Sequence, residues 1–365
     1  MVVVLAWAAA ATAADRVDHV AGSTRGAVRF SEDHVDVGDR SIAWGEVVTL
    51  WLDRPHRIVR VGEGVELTHG EWWRGRVTDV SGSRVTFEHP LLGTHEIDRG
   101  AVAAIAFDGV TRPGAAGRLN RIGGDAVPGE LMWADGEAVT LDSPLGVVDV
   151  PRDVARGYRL RDAQLPARGA SYDELILVDG SRLHGRVTPM AEGLRVEHAQ
   201  LGEVELPGAA VRGVVRRDAA RVAHLADLEP AAYEAEPLIS RRPELERVAL
   251  TDGEPGPGIY VVRIRPTTRV RYELPAAHAF DRLRGRIAPV AGARGSVRVT
   301  LSDDAGQTIE TWTIEPGDEA GGVDVRHDNL ATLNITVEFA GEVRLPAGVE
   351  LGDWHLVRSP TGEGE

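Results

Sequence analysis

Apolar and polar residues alternate in short runs along most of this chain. In Arg84–Glu88 the apolar Val85 and Phe87 are separated by polar residues, and in Leu333–Phe339 the alternation lasts for seven positions. A period of two places the apolar side chains on one face of an extended strand, as in half-buried antiparallel sheets. The 42 Gly and 20 Pro favour frequent turns between such strands. The pattern therefore predicts an all-β protein.

One pattern of strands and glycines occurs three times before residue 218. Two glycines lie 18, 17 and 17 residues apart in the three copies, and a valine follows the second glycine by 9, 8 and 9 residues. The glycine pairs are Gly75 with Gly93, Gly129 with Gly146 and Gly185 with Gly202, and the valines are Val102, Val154 and Val211. A shorter, degenerate copy precedes them between Arg25 and Val48. We expect each copy to be a small antiparallel β unit, an Sm-like barrel or a curled sheet that bends at its glycines.

The 365 residues exceed the size of one ordinary core, so several domains are expected. The first part divides into a degenerate repeat at 15–60 and repeats 1, 2 and 3 at 61–112, 113–168 and 169–217. A short helical pattern over Ala220–Leu228 is then stopped by Pro230. The strands that follow, such as Val297–Leu301, predict a β-sandwich over 218–360.

Residues 1–14 form an apolar stretch rich in Val and Ala, with small residues at Ala11–Ala13. This composition predicts a signal peptide and export to the periplasm or the exterior of a bacterial cell. The alternative is an apolar strand, because the positively charged start of a signal peptide is missing. No other stretch approaches the roughly twenty apolar residues of a membrane span, so no transmembrane segment is expected.

The charge balance argues against nucleic acid as a partner. The formal net charge is −15, and the basic residues, all of them Arg, occur in nothing denser than pairs such as Arg216-Arg217. The absence of Cys excludes disulfides, Cys-ligated zinc and thiol catalysis. The sequence also lacks the paired-His metal motifs and the Gly-x-Ser-x-Gly nucleophile motif. We therefore expect a non-catalytic protein without a cofactor.

Short motifs in the C-terminal segment are similar to those of a known family. They are Leu225–Pro230, Val270–Leu274 with Phe280, Gly295–Val299 with the turn Asp303–Gly306, and Asp353–Leu356. By these motifs, residues 221–358 resemble the family of novel carbohydrate-binding modules, which are galactose-binding-like jelly rolls of exported bacterial proteins. The resemblance implies a jelly-roll β-sandwich that binds a glycan, such as a cell-surface polysaccharide.

A non-catalytic sugar site needs a flat aromatic platform and a few polar groups that bind hydroxyls. Trp312 is the candidate platform, with Arg298 on the outward face of its strand and Asp304 at a turn as polar partners. Structural roles are the alternative, with Trp312 in the core and Asp304 as an ordinary turn residue. In repeat 1, Trp72 and Trp73 point to opposite faces of a strand, so one indole is expected at the surface. It would bind a sugar or a partner protein, or cover the next repeat.

A structural calcium ion is a further possibility for a jelly roll of this kind. The available carboxylates are Asp303, Asp304, Asp324 and Asp328, although they lack the spacing of a known calcium loop.

Two functions are consistent with these observations. In the first, a non-catalytic exported protein binds glycan through its C-terminal sandwich, and the repeats act as a stalk or interaction platform. In the second, a structural or adhesion protein uses both the sandwich and the repeats for protein–protein contacts alone.

Overall fold

The computed structural model describes residues 15–54, 63–107, 114–163, 171–218, 220–236, 245–249, 260–274, 280–327, 330–341 and 344–358. These residues form antiparallel sheets, and their helical residues lie in four short 3-10 turns, which confirms the all-β prediction. The expected signal peptide at residues 1–14 lies outside the described residues. The chain divides into two compact units. The first contains Asp173–Val215 and the repeats before it, and the second contains Tyr172 and the residues from Arg216 onward.

Each repeat consists of five or six strands with a turn before its last strand. The degenerate repeat contains β1 (Arg16–His19), β2 (Gly22–Arg25), β3 (Val28–Phe30), β4 (His34–Val37), β5 (Arg40–Ala43), a 3-10 turn (Trp44–Glu46) and β6 (Val47–Trp51). Repeat 1 contains β7 (Gly64–Leu67), β8 (Trp72–Arg74), β9 (Arg76–Ser81), β10 (Arg84–His89), β11 (Gly93–Asp98), a 3-10 turn (Arg99–Ala101) and β12 (Val102–Ala106). Repeat 2 contains β13 (Arg118–Arg121), β14 (Ala126–Pro128), β15 (Glu130–Ala134), β16 (Ala138–Ser143), β17 (Gly146–Pro151) and β18 (Ala155–Arg159). Repeat 3 contains β19 (Tyr172–Leu177), β20 (Arg182–Met190), β21 (Gly193–His198), β22 (Gly202–Pro207), a 3-10 turn (Gly208–Ala210) and β23 (Val211–Arg217).

The three full repeats share their backbone hydrogen bonds as well as their spacing. The first hairpin of each closes with the same bond, namely Leu67 N to Glu71 O, Arg121 N to Asp125 O and Leu177 N to Ser181 O, each 2.9 Å long. The last strand begins at Val102, Ala155 and Val211, nine residues after the second glycine in every copy. In repeat 2 the valine chosen from the sequence, Val154, is therefore one position too early and lies in the turn.

The two glycines of each repeat are required for different reasons. At Gly75, Gly129 and Gly185 the backbone approaches the next strand so closely that a Cβ atom would lie 2.4, 2.7 and 2.5 Å from the carbonyl oxygens of Glu88, Asp142 and Glu197. At Gly93, Gly146 and Gly202 the φ angles are +87°, +102° and +70°, a left-handed conformation that side chains disfavour. The first glycine closes the curled sheet, and the second makes the tight turn.

The repeats associate in pairs through their last strands. Strand β12 of repeat 1 pairs with β18 of repeat 2 around Ile105 and Tyr158, which are each the fourth residue of their strand. Strand β6 of the degenerate repeat pairs in the same way with β23 of repeat 3 around Leu50 and Val214, again the fourth residues. Because equivalent residues face each other, each pair has a local two-fold relation. Repeats 1 and 2 share one apolar core, and the degenerate repeat shares another with repeat 3.

Two arginines reinforce the pairing of repeats 1 and 2 reciprocally. Arg99 of repeat 1 donates a hydrogen bond to the carbonyl of Leu131 in repeat 2. Arg152, its equivalent in repeat 2, donates to the carbonyl of Val77 in repeat 1 at 2.6 Å. Val77 and Leu131 occupy equivalent positions, two residues after the first glycine. The side chains therefore follow the same two-fold relation as the strands.

The second unit is a sandwich of two antiparallel sheets. Its strands are β24 (Val222–His224), β25 (Ala232–Ala235), β26 (Glu246–Ala249), β27 (Tyr260–Ile264), β28 (Thr268–Glu273), β29 (Arg282–Pro289), β30 (Val297–Ser302), β31 (Thr308–Ile314), β32 (Gly321–Arg326), β33 (Thr332–Phe339) and β34 (Val349–Val357). One sheet has the order β26-β27-β34-β29-β32, with β24 also pairing with β34, and the other has the order β25-β28-β33-β30-β31. The inward residues form one apolar core, as a jelly-roll sandwich requires.

The helix predicted from Ala220–Leu228 is wrong. Val222–His224 forms β24, which pairs with β34, and only Leu225–Asp227 makes a single 3-10 turn. Pairing with an existing sheet outweighs the weak helical pattern of a segment too short to form a stable helix alone.

The glycine roles can be tested by replacing Gly185 and Gly202 with Ala. The added Cβ at Gly185 meets backbone, so we expect a loss of about 1–3 kcal/mol in the free energy of unfolding. Left-handed backbone at Gly202 predicts a loss of about 1–2 kcal/mol. Denaturant unfolding measures both losses. The control is Gly136→Ala, where no atom lies within 4 Å of the added Cβ, and equal losses in all three variants would contradict this account.

Candidate functional site

Trp312 lies at an edge of the sandwich and is half-buried. It is on β31, the last strand of its sheet, and faces inward because its cross-strand partner is the buried Val299. Its ring makes an edge-to-face contact with Trp354 of the opposite sheet, at 5.9 Å between ring centroids. Part of the indole therefore belongs to the core, and the remainder is accessible to solvent.

Trp354 holds this pair of rings in place. Its Nε1 donates a 2.7 Å hydrogen bond to the carbonyl of Arg286. Gly285 leaves the space for the ring, because a Cβ there would lie 2.2 Å from Cδ1 of Trp354. The guanidinium of Arg286 in turn donates to the carbonyl of Ala320, at 2.9 Å, in the turn between β31 and β32. Trp312 thus rests on a fixed support, which is what a binding platform requires.

Polar and small residues lie along β31 and along β32, the last strand of the other sheet. Glu310 is exposed and lies on the same side of β31 as Trp312, two residues before it. Gly321 and Gly322 are exposed at the start of β32, the edge strand of the other sheet. A carboxylate beside an indole is suited to hydrogen bonding with sugar hydroxyls next to a stacked ring.

The three sandwich residues proposed from sequence do not converge on one site. Arg298 is exposed on the outer face, because its partners across the sheet are Thr313 and Glu338, which alternate with the inward Trp312 and Val337. Asp304 is exposed in the turn before β31, eight residues from Trp312. At about 3.3 Å per residue of strand, the four steps from Thr308 to Trp312 alone separate the turn and the indole by roughly 13 Å.

The tryptophans of repeat 1 differ in exposure. Trp73 is completely buried in the shared core of repeats 1 and 2, and its Nε1 donates to Glu71 at 3.0 Å. Trp72 is half-buried and lies against the backbone of Gly64, where a Cβ would be 2.8 Å from the indole. A ligand at this point would have access to Trp72 and not to Trp73.

The carboxylates considered for calcium are partly engaged within the protein. Asp303 accepts a hydrogen bond from the amide of Gln307 and closes its turn. Asp324 forms ion pairs with Arg282 and Arg284. Burial acts to raise the pKa of this carboxyl group, but the two guanidinium groups outweigh it and hold the pKa below its usual value. Asp328 lies outside the described residues, and among the described ones no group of three His, Asp or Glu residues could hold a metal ion.

A Ser, a His and an Asp do meet, at the buried contact between repeats 1 and 3. His89 Nε2 lies 3.0 Å from Ser181 Oγ and 3.5 Å from an oxygen of Asp179. His89 Nδ1 accepts hydrogen bonds from the amides of Leu91 and Leu92, so the ring proton is on Nε2 and is donated to Ser181. A base must accept the proton of the serine, and this histidine cannot do so. Ser181 is 0% exposed, so the group is structural.

A histidine of repeat 3 makes the equivalent contact with repeat 1. His198, which occupies the position of His89, accepts the amides of Gln200 and Leu201 on Nδ1 and donates from Nε2 to Glu71 at 2.8 Å. Glu71 and Ser181 are equivalent residues of the two first hairpins. The sequence carried a signal for this contact, because a His precedes the second glycine by four residues in repeats 1 and 3.

Burial lowers the pKa of His89 from 6.5 to about 4, against the opposing attraction of Asp179. The unfolded chain therefore takes up a proton between these pH values that the folded chain does not. The contribution of His89 to the free energy of unfolding is therefore complete near pH 7. We expect it to fall as the pH drops from 6.5 towards 4, by at most about 1.4 kcal/mol per pH unit.

Denaturant unfolding at several pH values checks this expectation. The variant His89→Asn is less stable at pH 7 but should lose this part of the pH dependence, whereas His69→Asn, which changes an exposed histidine, should keep it. An unchanged slope in His89→Asn would rule out the assignment.

No helix in the described part of the chain is long and apolar enough to cross a membrane.

Comparison with known proteins gives weak structural similarities. No protein-family model and no curated protein match the chain. Among solved structures, the CBM51 module of Clostridium perfringens GH95 in complex with methyl-galactose is 16% identical, with a TM-score of 0.30, over 37% of this chain and 99% of that one. The tandem CBM51 modules of Sp3GH98 from Streptococcus pneumoniae are 12% identical, with a TM-score of 0.30, over 80% of this chain and 87% of that one. TmCBM61 in complex with β-1,4-galactotriose is 19% identical, with a TM-score of 0.21, over 28% and 72%. TM-scores this low assign neither a family nor a ligand to the chain.

Proposed function

We propose that this is a non-catalytic, exported protein that binds glycan through its C-terminal sandwich, with the repeats as a stalk or interaction platform. The observation that carries the proposal is the half-buried indole of Trp312, supported on Trp354 at an open edge of the sandwich. A sugar ring stacks on a fixed indole at low entropic cost, because the platform is already ordered before binding.

Glu310 is the polar partner that the geometry favours. It lies on the same side of β31 as the indole and is exposed, so its carboxylate is free of the core. Arg298 is on the opposite face and Asp304 is farther along the turn, so either would belong to a separate contact with a longer polysaccharide.

The alternative is a structural or adhesion protein that makes only protein–protein contacts. The specific observation in its favour is that the outer face of the sheet with Arg298 carries charged and hydroxyl side chains and no aromatic ring, at the inter-strand rows Arg298–Glu338 and Thr300–Thr336. Sugar binding at Trp312 and protein binding by the repeats are separable by mutation.

The test is binding of the full chain to a glycan array, followed by titration of any sugar that binds. Trp312→Ala removes the platform, and we expect a loss of about 2 kcal/mol or more, which is about thirtyfold in Kd. Trp312→Phe should retain part of the affinity because it keeps a flat ring. Thr313→Ala, one residue away on the opposite face, is the matched control and should bind normally.

Thermal unfolding of each variant separates loss of binding from loss of folding, because Trp312 also packs on the core. The proposal fails if the full chain binds no glycan, or if a folded Trp312→Ala variant binds as well as the original chain.

A further inference from the structure

Repeat 2 carries most of the large apolar side chains that are exposed in the described part of the chain. Six large apolar side chains are exposed among the described residues, and five of them belong to this repeat: Ile122, Met132, Trp133, Leu145 and Val147. Leu145 is 94% exposed, at the tip of the turn between β16 and β17. Exposed apolar side chains that lie close together mark an interaction surface, and Leu145 and Val147 are two residues apart in the same hairpin.

The equivalent leucines of repeats 1 and 3 are partly buried against a neighbouring core. Leu92 and Leu201 precede the second glycine of their repeats, as Leu145 does in repeat 2. Leu92 packs against the core of the degenerate repeat and repeat 3, and Leu201 packs against that of repeats 1 and 2. The turn leucine is therefore a docking residue wherever the repeat has a partner at that edge.

The surface that receives these turns is the first hairpin of the opposite repeat. The turn of repeat 1 contacts the hairpin of repeat 3 through His89 and Ser181, and the turn of repeat 3 contacts the hairpin of repeat 1 through His198 and Glu71. Each repeat thus supplies one turn and one hairpin, and the junction is reciprocal.

Repeat 2 leaves both of these elements uncovered. Its hairpin residue Ile122 is 49% exposed, whereas the equivalent Val178 of repeat 3 is 3% exposed. The turn of repeat 2 retains its internal support, since Ser143 Oγ accepts the amide of Leu145 at 3.1 Å in the place where His89 and His198 accept theirs. The docking elements are formed but have no partner within the described chain.

We propose that a second copy of this chain occupies this surface, with repeat 2 of each copy facing repeat 2 of the other. The turn with Leu145 of each copy packs on the hairpin with Ile122 of the other copy, so the contact is made twice. A surface that presents both halves of a reciprocal junction is self-complementary about a two-fold axis, which is the symmetry of most protein dimers. The junction between repeats 1 and 3 shows that this sequence pattern makes such a contact.

The test is the mass of the full chain in solution, by sedimentation or by light scattering during gel filtration. The monomer mass is 39.2 kDa, and we expect twice that value at roughly 100 µM and physiological salt, a concentration at which interfaces of ordinary size are occupied. Because each copy has a net charge of −15, the dimer should strengthen as salt screens the repulsion.

Two variants locate the interface. Leu145→Asp and Ile122→Asp should each raise the dissociation constant at least thirtyfold. At a dilution where the original chain is monomeric, thermal unfolding should be unchanged, because both side chains are already exposed in one copy. The matched control is Leu345→Asp, which changes a 41% exposed leucine of the sandwich and should leave the dimer intact.

A monomer at every accessible concentration would overturn the proposal. So would a dimer that persists in both Leu145→Asp and Ile122→Asp, or one that dissociates equally in Leu345→Asp. These outcomes are independent of glycan binding, which is measured at Trp312.

Discussion

The first unit depends on the pairing of last strands between repeats. A small curled sheet of five strands has an edge with free backbone groups and too little core of its own. In this protein the edge of one repeat pairs with the same edge of another at equivalent residues, Ile105 with Tyr158 and Leu50 with Val214. The pairing forms backbone hydrogen bonds at both edges. It also joins the apolar residues of two repeats into one core, as the two shared apolar clusters show.

The order of pairing is nested along the chain. Repeats 1 and 2, which are adjacent in sequence, pair with each other, and the degenerate repeat pairs with repeat 3 across them. His89 and His198 then join repeat 1 to repeat 3. Both nitrogens of each of these two rings are hydrogen-bonded, one by its own turn and the other by the opposite hairpin, as burial of a polar side chain requires. Repeat 2 is left at the end of this arrangement, with its turn uncovered.

The sequence predicted the units better than their association. The glycine spacing identified Gly185 and Gly202 because both positions require glycine. At Gly185 a side chain would collide with neighbouring backbone, and at Gly202 the backbone is left-handed. Pairing of last strands was not predictable, since the continuous apolar run Val102–Ala106 is the same whichever strand pairs with it. The side of the sheet on which Arg298 lies relative to Trp312 also depends on cross-strand register, which alternation within one strand does not specify. The helix predicted over Ala220–Leu228 is wrong because a weak helical pattern within a segment does not show that the segment pairs with β34.

The nested pairing is tested most directly by disulfide trapping, since the chain has no native Cys. Directly opposed residues of an antiparallel pair have Cα atoms about 4.5–5.5 Å apart, within the range of a disulfide. The double variant Leu50→Cys with Val214→Cys should therefore form an intramolecular disulfide on refolding under oxidising conditions, detected by mass spectrometry. The variant Leu50→Cys with Ile105→Cys, which would link the degenerate repeat to its neighbour in sequence, should remain reduced. Formation of the second disulfide in place of the first would contradict the nested arrangement.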